Sequence, residues 1–386
     1  MMKKTLVAAA ALAATGAFAQ VTLSGNIDIA FAAQGATQKQ RSNTNSSSAM
    51  TFAGTEALNN DLSLSFNLVT ELDMQKGQGG SSTTGATAGT SGAVFDMWNR
   101  GANLVLASKS MGTLRIGRQN DAWWETQGAF NTSGSNSFGL GTLIGTQSNM
   151  GSIDGFNKAD GTAASTVMTG FASNATNAAW TGPSYAYAAG VSYLTPSLNG
   201  ITVKIQQNVA EYALSSGQTV SPGGAMSINY DGGALKASVA TTQKAGTDGL
   251  VGHTLTVYGA SYNFGNTTII AATNKSTFQN NFAALTDSTA TGLGVNYRFS
   301  PSFDANFSYA TMTNDEATAN KATLIGVVGR YSLSKRTSMY AGFGTVNNEG
   351  ASTQSALWSM AATSTSTVNP ANATTSATML GLRHLF

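Results

Sequence analysis

The sequence predicts an all-β fold: a transmembrane antiparallel β-barrel of sixteen strands. Three observations predict it. Apolar and polar residues alternate with the two-residue period of strands. Short turns alternate with long loops rich in Gly, Ser, Thr and Asn. Aromatic residues gather beside the short turns.

The alternation is plain in "VTLSGNIDIAF", residues 21–31. Val21, Leu23, Ile27, Ile29 and Phe31 take one face, with Thr22, Ser24, Asn26 and Asp28 on the other. Gly25 is the one odd position without a side chain. Residues 62–74 repeat the pattern, with Leu62, Leu64, Phe66, Leu68, Leu72 and Met74 opposed to Ser63, Ser65, Asn67, Glu71 and Asp73. In residues 291–299, Leu293, Val295, Tyr297 and Phe299 oppose Gly292, Gly294, Asn296 and Arg298. A face of charge and glycine is unusual for a merely solvated sheet.

Short turn signals fall near 58–61, 108–112, 195–200, 231–233, 264–266, 300–302 and 334–336. Longer polar stretches lie near 32–48, 75–94, 119–183, 213–224, 243–252, 276–289, 314–320 and 347–374. Seven tight turns and eight loops join sixteen strands, the layout of an outer-membrane barrel. Tyr193, Tyr230, Phe264, Phe299, Phe303 and Tyr331 sit beside the tight turns, as a girdle at one membrane interface requires. A bilayer admits strands only when every backbone group is paired, which forces closure. Sixteen strands leave an aqueous lumen for the polar face to line, so the apolar face looks out to lipid.

The chain opens "MMKKTLVAAAALAATGAFAQ", which reads as a cleaved signal peptide over residues 1–19 with Ala17-Phe18-Ala19 at the cleavage site. Residues 20–386 then form a single barrel domain. Removing Lys3 and Lys4 takes the 20 basic residues to 18, equal to the 18 acidic ones, so net charge suggests no nucleic-acid partner. Beyond the leader no run approaches the ~20 apolar residues of a spanning helix. There are no cysteines, hence no disulfide and no thiolate metal site. His253 and His384 are the two imidazoles, and nothing local supports a Ser-His-Asp arrangement or a metal cluster. Glycine runs near 77–80 and 85–92 lack the lysine and the strand–helix setting of phosphate loops. No catalysis, cofactor or metal is expected.

Two motifs carry a family resemblance: "YSLSKRTSMY" at 331–340 and the ending "GLRHLF" at 381–386. "VTLSG" at 21, "TFAGTEAL" at 51, "WNRGANL" at 98 and "GRQ" at 117 add weaker support. Through these the chain resembles the trimeric Gram-negative general porins of the β-proteobacterial branch, from residue 21 to the end with the loops unmatched. The resemblance implies an outer-membrane, water-filled channel for passive diffusion of ions and small hydrophilic solutes. It also implies a homotrimer set in lipid and lipopolysaccharide, with Phe386 read by the barrel assembly machinery.

It implies further that the third external loop folds into the lumen and narrows it. That loop lies in the 119–183 stretch, which carries Asp121, Glu125, Asp154 and Asp160 against the single Lys158. These residues form either an acidic ledge or a solvated hairpin tip. For the basic wall, Arg100 and Arg383 match the family pattern, while Arg115, Lys204 and Arg298 sit on inward faces by parity. Ala49, Ala53 and Ser192 stand where relatives often have Arg or Lys, which points to weak selectivity of either sign. Leu114 and Ile116 put Arg118 on the outer face, where such an arginine in the family commonly meets the second loop of a neighbouring subunit. Two other readings share parts of the pattern. One is a channel of this architecture that prefers an organic acid or a sugar. The other is a secreted β-rich adhesin, which needs neither a terminal Phe nor a girdle.

Overall fold

The computed structural model describes residues 21–35, 37–42, 44–74, 77–79, 81–82, 95–143, 187–209, 223–245, 251–278, 287–314, 320–350, 352, 354–357 and 371–386. Wherever the alternation was read, a strand forms. In chain order these are β1 (Thr22–Gln34), β2 in two halves (Thr37–Ser42 and Ala49–Ala57), β3 (Leu62–Asp73), β4 (Gly101–Ser108) and β5 (Gly112–Asn120). A helix, α1 (Ala122–Ala129), follows β5. Then come β6 (Tyr187–Leu194), β7 (Ile201–Asn208), β8 (Gly224–Asp231), β9 (Leu235–Ala245) and β10 (Val251–Asn263). The series ends with β11 (Thr267–Phe278), β12 (Ser288–Ser300), β13 (Phe303–Asn314), β14 (Lys321–Ser332), β15 (Thr337–Glu349) and β16 (Ala373–Leu385).

Each strand pairs antiparallel with its sequence neighbours, and β16 returns to β1 with Asn26 opposite Leu385 and Gln34 opposite Ala377. The sheet is a closed barrel of sixteen strands, so no edge is left unpaired. All seven tight turns form where their residues placed them. One long loop does not. The 32–48 stretch was expected as a loop, but β1 runs to Gln34, turns at Gly35 with φ 55°, and returns as the first half of β2. The described irregular part is residues 44–48, which break β2 in mid-strand between two halves that both pair with β1.

Outward-facing positions are apolar and exposed, among them Leu23, Phe31, Ile205, Phe307, Phe343 and Leu380. Water would oppose this, at roughly 1.5–3 kcal/mol for each large side chain left uncovered, whereas hydrocarbon accepts it. The six girdle aromatics are all exposed, with Phe299 stacked on Phe303 at 5.3 Å between ring centres. Gly25 also finds its reason here. A Cβ on it would overlap the ring of Phe386, which lies over β1 on the outer face. The two residues exchange backbone hydrogen bonds of 3.0 and 3.1 Å, which fasten the chain end to the first strand.

The apolar core lies inside the barrel. Trp123, Phe130, Phe138, Leu140 and Leu143 of the segment after β5 pack on Leu255, Val257, Leu324, Val346 and Met379 of the wall. The described part of the third loop therefore lies within the lumen.

Candidate functional site

The loop enters through Asp121, the N-cap of α1. Its Oδ1 accepts from the Trp123 backbone N–H at 2.9 Å, and Oδ2 accepts from Thr242 Oγ1 at 3.0 Å and Asn208 Nδ2 at 3.4 Å. Asp121 is 0% exposed. It was expected among lumen-facing acids; instead its carboxylate fastens the helix start to β7 and β9, because a buried charge needs every bond it can collect. Trp123 Nε1 donates to Asn274 Oδ1 at 2.6 Å, and Thr126 shares a 3.2 Å hydroxyl contact with Ser238. The helix is thus laid against the wall from β8 to β11.

Beyond α1 the loop follows glycines. A Cβ on Gly259 would overlap Phe130, one on Gly294 would overlap the Thr132 carbonyl, and ones on Gly326 and Gly344 would overlap Phe138. The bare inward face of β12 is therefore a seat for backbone. Thr132 is held by Ser308 at 2.9 Å, and Arg330 donates to the Gly134 carbonyl at 2.9 Å while paired with Asp304 at 2.6 Å. The loop then meets the β2 break: the Asn136 N–H donates to the Asn45 carbonyl and Ser137 Oγ to the Thr44 carbonyl, both at 2.8 Å. The break is pinned by Asp28, which accepts from the Asn45 N–H at 3.2 Å, Ser46 Oγ at 3.2 Å and the Tyr340 hydroxyl at 2.8 Å. Loop and break together span the lumen from β5 round to β1.

Open space remains on either side of α1. One cavity, of about 310 Å³, runs toward the tight-turn end and is lined by Arg115, Glu125, Ser192, Thr202, Lys204 and Asn229. Glu125 stands between two wall cations, with Lys204 Nζ at 2.9 Å and Arg115 Nη1 at 3.8 Å. Lys204 is buried and also reaches the Asn120 carbonyl at 3.1 Å, whereas Arg115 and Glu125 are about a third exposed. A second cavity, of about 420 Å³, lies beside Arg100, Trp124, Gln127 and the β2 break. Arg100 pairs there with Glu71, at 2.9 and 3.3 Å.

A family model described as Gram-negative porin matches residues 5–351. The chain belongs to the Gram-negative porin family. It is an outer-membrane channel for passive diffusion, not an enzyme. No curated protein matches it in sequence. Solved structures with the same fold include the anion-selective porin from Comamonas acidovorans, 20% identical with a TM-score of 0.70 over 96% of this chain and 100% of that one. The trimer form of in-vitro folded OmpT, an outer membrane protein of Vibrio cholerae, is 12% identical with a TM-score of 0.60 over 95% and 99%. OmpF of Salmonella typhi, solved as a complex with daunomycin, is 12% identical with a TM-score of 0.58 over 95% and 98%.

The remaining positions of this porin can be placed individually. Arg383 points inward and donates from Nε to Asn26 Oδ1 at 3.0 Å. Arg298 is exposed at the tight-turn rim, where the β12–β13 register shifts, and its cross-strand partner Asp304 is engaged by Arg330. Asp154 and Asp160 lie outside the described residues, as does the leader. Ser192 donates to Gln119 Oε1 at 2.5 Å opposite Arg115, and Ala49 sits opposite Glu71. Arg118 pairs with Ala102 and Ala189 on the outer face, and its Nε donates to the Asn99 carbonyl. Glu71, Asp304, Arg330 and Asp28 were not picked out in the sequence as functional. The usable signal was a charge at inward parity, which Glu71 and Asp28 both carry.

Proposed function

We propose that this porin passes ions and small hydrophilic solutes with little preference for charge sign. The observation that supports this most is Glu125 on the loop helix, bridging Lys204 and Arg115 on the wall. Two cations and one anion leave about one net positive charge there, a weak field for anions in a narrow aqueous slot. Arg100 and Arg330 add little, because Glu71 and Asp304 neutralise them. Reversal potentials of the purified protein in a tenfold salt gradient test the reading. Values near zero, tilted toward anions, are expected; strong selectivity of either sign would refute it.

The working unit in this proposal is a homotrimer, in keeping with the trimer form of the Vibrio cholerae protein. Arg118 supports it: the flanking Ala102 and Ala189 leave its outer face open to a neighbouring subunit. A cation turned to lipid instead would cost up to about 2–4 kcal/mol near the midplane. The proposal also has residues 1–19 direct export, the assembly machinery read Phe386, and lipopolysaccharide surround the long loops. Heat-modifiable migration of a trimer on a detergent gel tests the oligomer.

A further inference from the structure

The loop between β15 and β16 also turns into the lumen. Its residues Ser352, Gln354, Ser355, Ala356 and Leu357 are all buried. Asn348, at inward parity near the end of β15, starts the turn. Its Oδ1 accepts from Ser352 Oγ at 2.8 Å and the Gln354 N–H at 2.9 Å, and its Nδ2 donates to the Gln354 carbonyl at 3.1 Å. Gln34, the last residue of β1, receives the segment. Its Oε1 accepts from Ser355 Oγ at 3.0 Å, the Ala356 N–H at 3.2 Å and the Leu357 N–H at 3.1 Å. The closing strand β16 lies between, with Asn348 opposite Ala373 and Gln34 opposite Ala377, so residues 354–357 cross its inner face. Ala356 and Leu357 share one apolar cluster there with Ala32, Ala377 and Phe138.

That crossing meets the third loop. The Phe138 N–H donates to the Ala356 carbonyl at 2.9 Å. Phe138 has φ 64°, in the left-handed region that a bulky side chain rarely enters. Its side chain is seated over Gly326, Gly342 and Gly344, where a Cβ would overlap it. Such a conformation persists only where its surroundings over-determine it. Here the glycine seat holds the ring and the Ala356 carbonyl holds the backbone.

We propose that residues 354–357 are a strap that keeps the third loop in this strained position, and that Gln34 is the positioning residue through which the strap sets the size limit of the passage. Neither Gln34 nor the strap lines the two cavities beside α1. A change at Gln34 therefore touches no charge along the passage, and its effect on permeation must travel through the strap to Phe138. The inference rests on the channel reading and names a residue that governs how wide that channel is.

The test is single-channel conductance of the purified protein in a planar bilayer, together with the size of the largest polyethylene glycol that enters. Gln34→Leu removes the acceptor of all three bonds at similar volume. It is expected to admit larger polymers and to raise conductance roughly twofold, because sixteen strands enclose a wide lumen unless something fills it. The chain has no cysteine of its own, so Gln34→Cys with Ser355→Cys gives a clean second variant. Reduced, this pair should behave as Gln34→Leu does; bridged by a short bifunctional thiol reagent, it should regain the unmodified size limit. An unchanged limit in assembled Gln34→Leu overturns the proposal, even with a lower unfolding temperature, since Gln34 would then be an anchor alone. A bridged pair that stays wide overturns it too. Absence of any conductance in the unmodified protein would overturn the channel reading itself, and so the two failures are distinguishable.

Discussion

Replacing Glu125 with Gln removes the one acidic group on the described loop that faces open lumen beside the wall cations. The isosteric amide keeps its place between Lys204 Nζ, now 2.9 Å from a carboxylate oxygen, and Arg115 Nη1, at 3.8 Å. The anchors of α1 lie elsewhere, in Asp121, Trp123 and Thr126, so the helix should stay where it is. A permeant ion passing ~5 Å from the lost charge in water-like surroundings feels about 0.8 kcal/mol less interaction, trimmed to about 0.5 kcal/mol by 0.1 M salt. Anion and cation move in opposite directions, so their ratio shifts by about 1 kcal/mol, or roughly fivefold, toward anions. A drier slot with a lower effective dielectric would give more. The assay is the zero-current potential across a bilayer holding few channels, in a tenfold gradient of potassium chloride. A potential equal to that of the unmodified protein would mean that ions do not pass this cluster and would refute the assignment.

Three further perturbations probe other parts of the molecule. Gly294→Ala sets a methyl group where the Thr132 carbonyl now lies, so the loop must lift or the wall must yield; overpacking of this kind costs about 1–3 kcal/mol. A lower unfolding temperature with larger conductance and a higher sugar exclusion limit is expected, and unchanged values would show that the loop does not rest there. Deleting Phe386 takes away the ring over Gly25 and two backbone bonds at the barrel seam, so protease-sensitive, unassembled chains should accumulate. Normal yield of heat-modifiable protein would disprove that role. Arg118→Ala should lower the temperature at which trimers separate while leaving single-channel conductance nearly unaltered; altered conductance with an intact trimer would instead make Arg118 a pore residue.

Much of the candidate site was legible in part. Parity put Arg115, Lys204 and Arg298 on inward faces and Arg118 on the outer one; Arg115 and Lys204 flank Glu125 in the structure, while Arg298 is exposed at the tight-turn rim. What parity could not distinguish was Asp121 from Glu125, four residues apart at the start of the same loop. One is buried as a helix cap and the other faces water between two cations, a difference decided by how the loop docks. The β2 break was equally hidden, since "NTNSSSA" carries the composition of any polar loop. Its inward course depends on Asp28 and on Tyr340, which is 312 positions away along the chain from that aspartate.

By itself the sequence determined sixteen strands, seven tight turns and an apolar exterior, because a two-residue period and turn chemistry act between near neighbours and need no knowledge of the remainder. It displayed Gly292 and Gly294 without showing what they make room for. Only the tertiary structure decided that, since Thr132 reaches Gly294 and Ser308 after the barrel has closed, with that threonine 176 positions along the chain from the serine that holds it. Contacts at such range leave no local period in a chain. They arise from closure, which brings inward faces of distant strands around one lumen and lets a single loop choose among them by shape and hydrogen bonding.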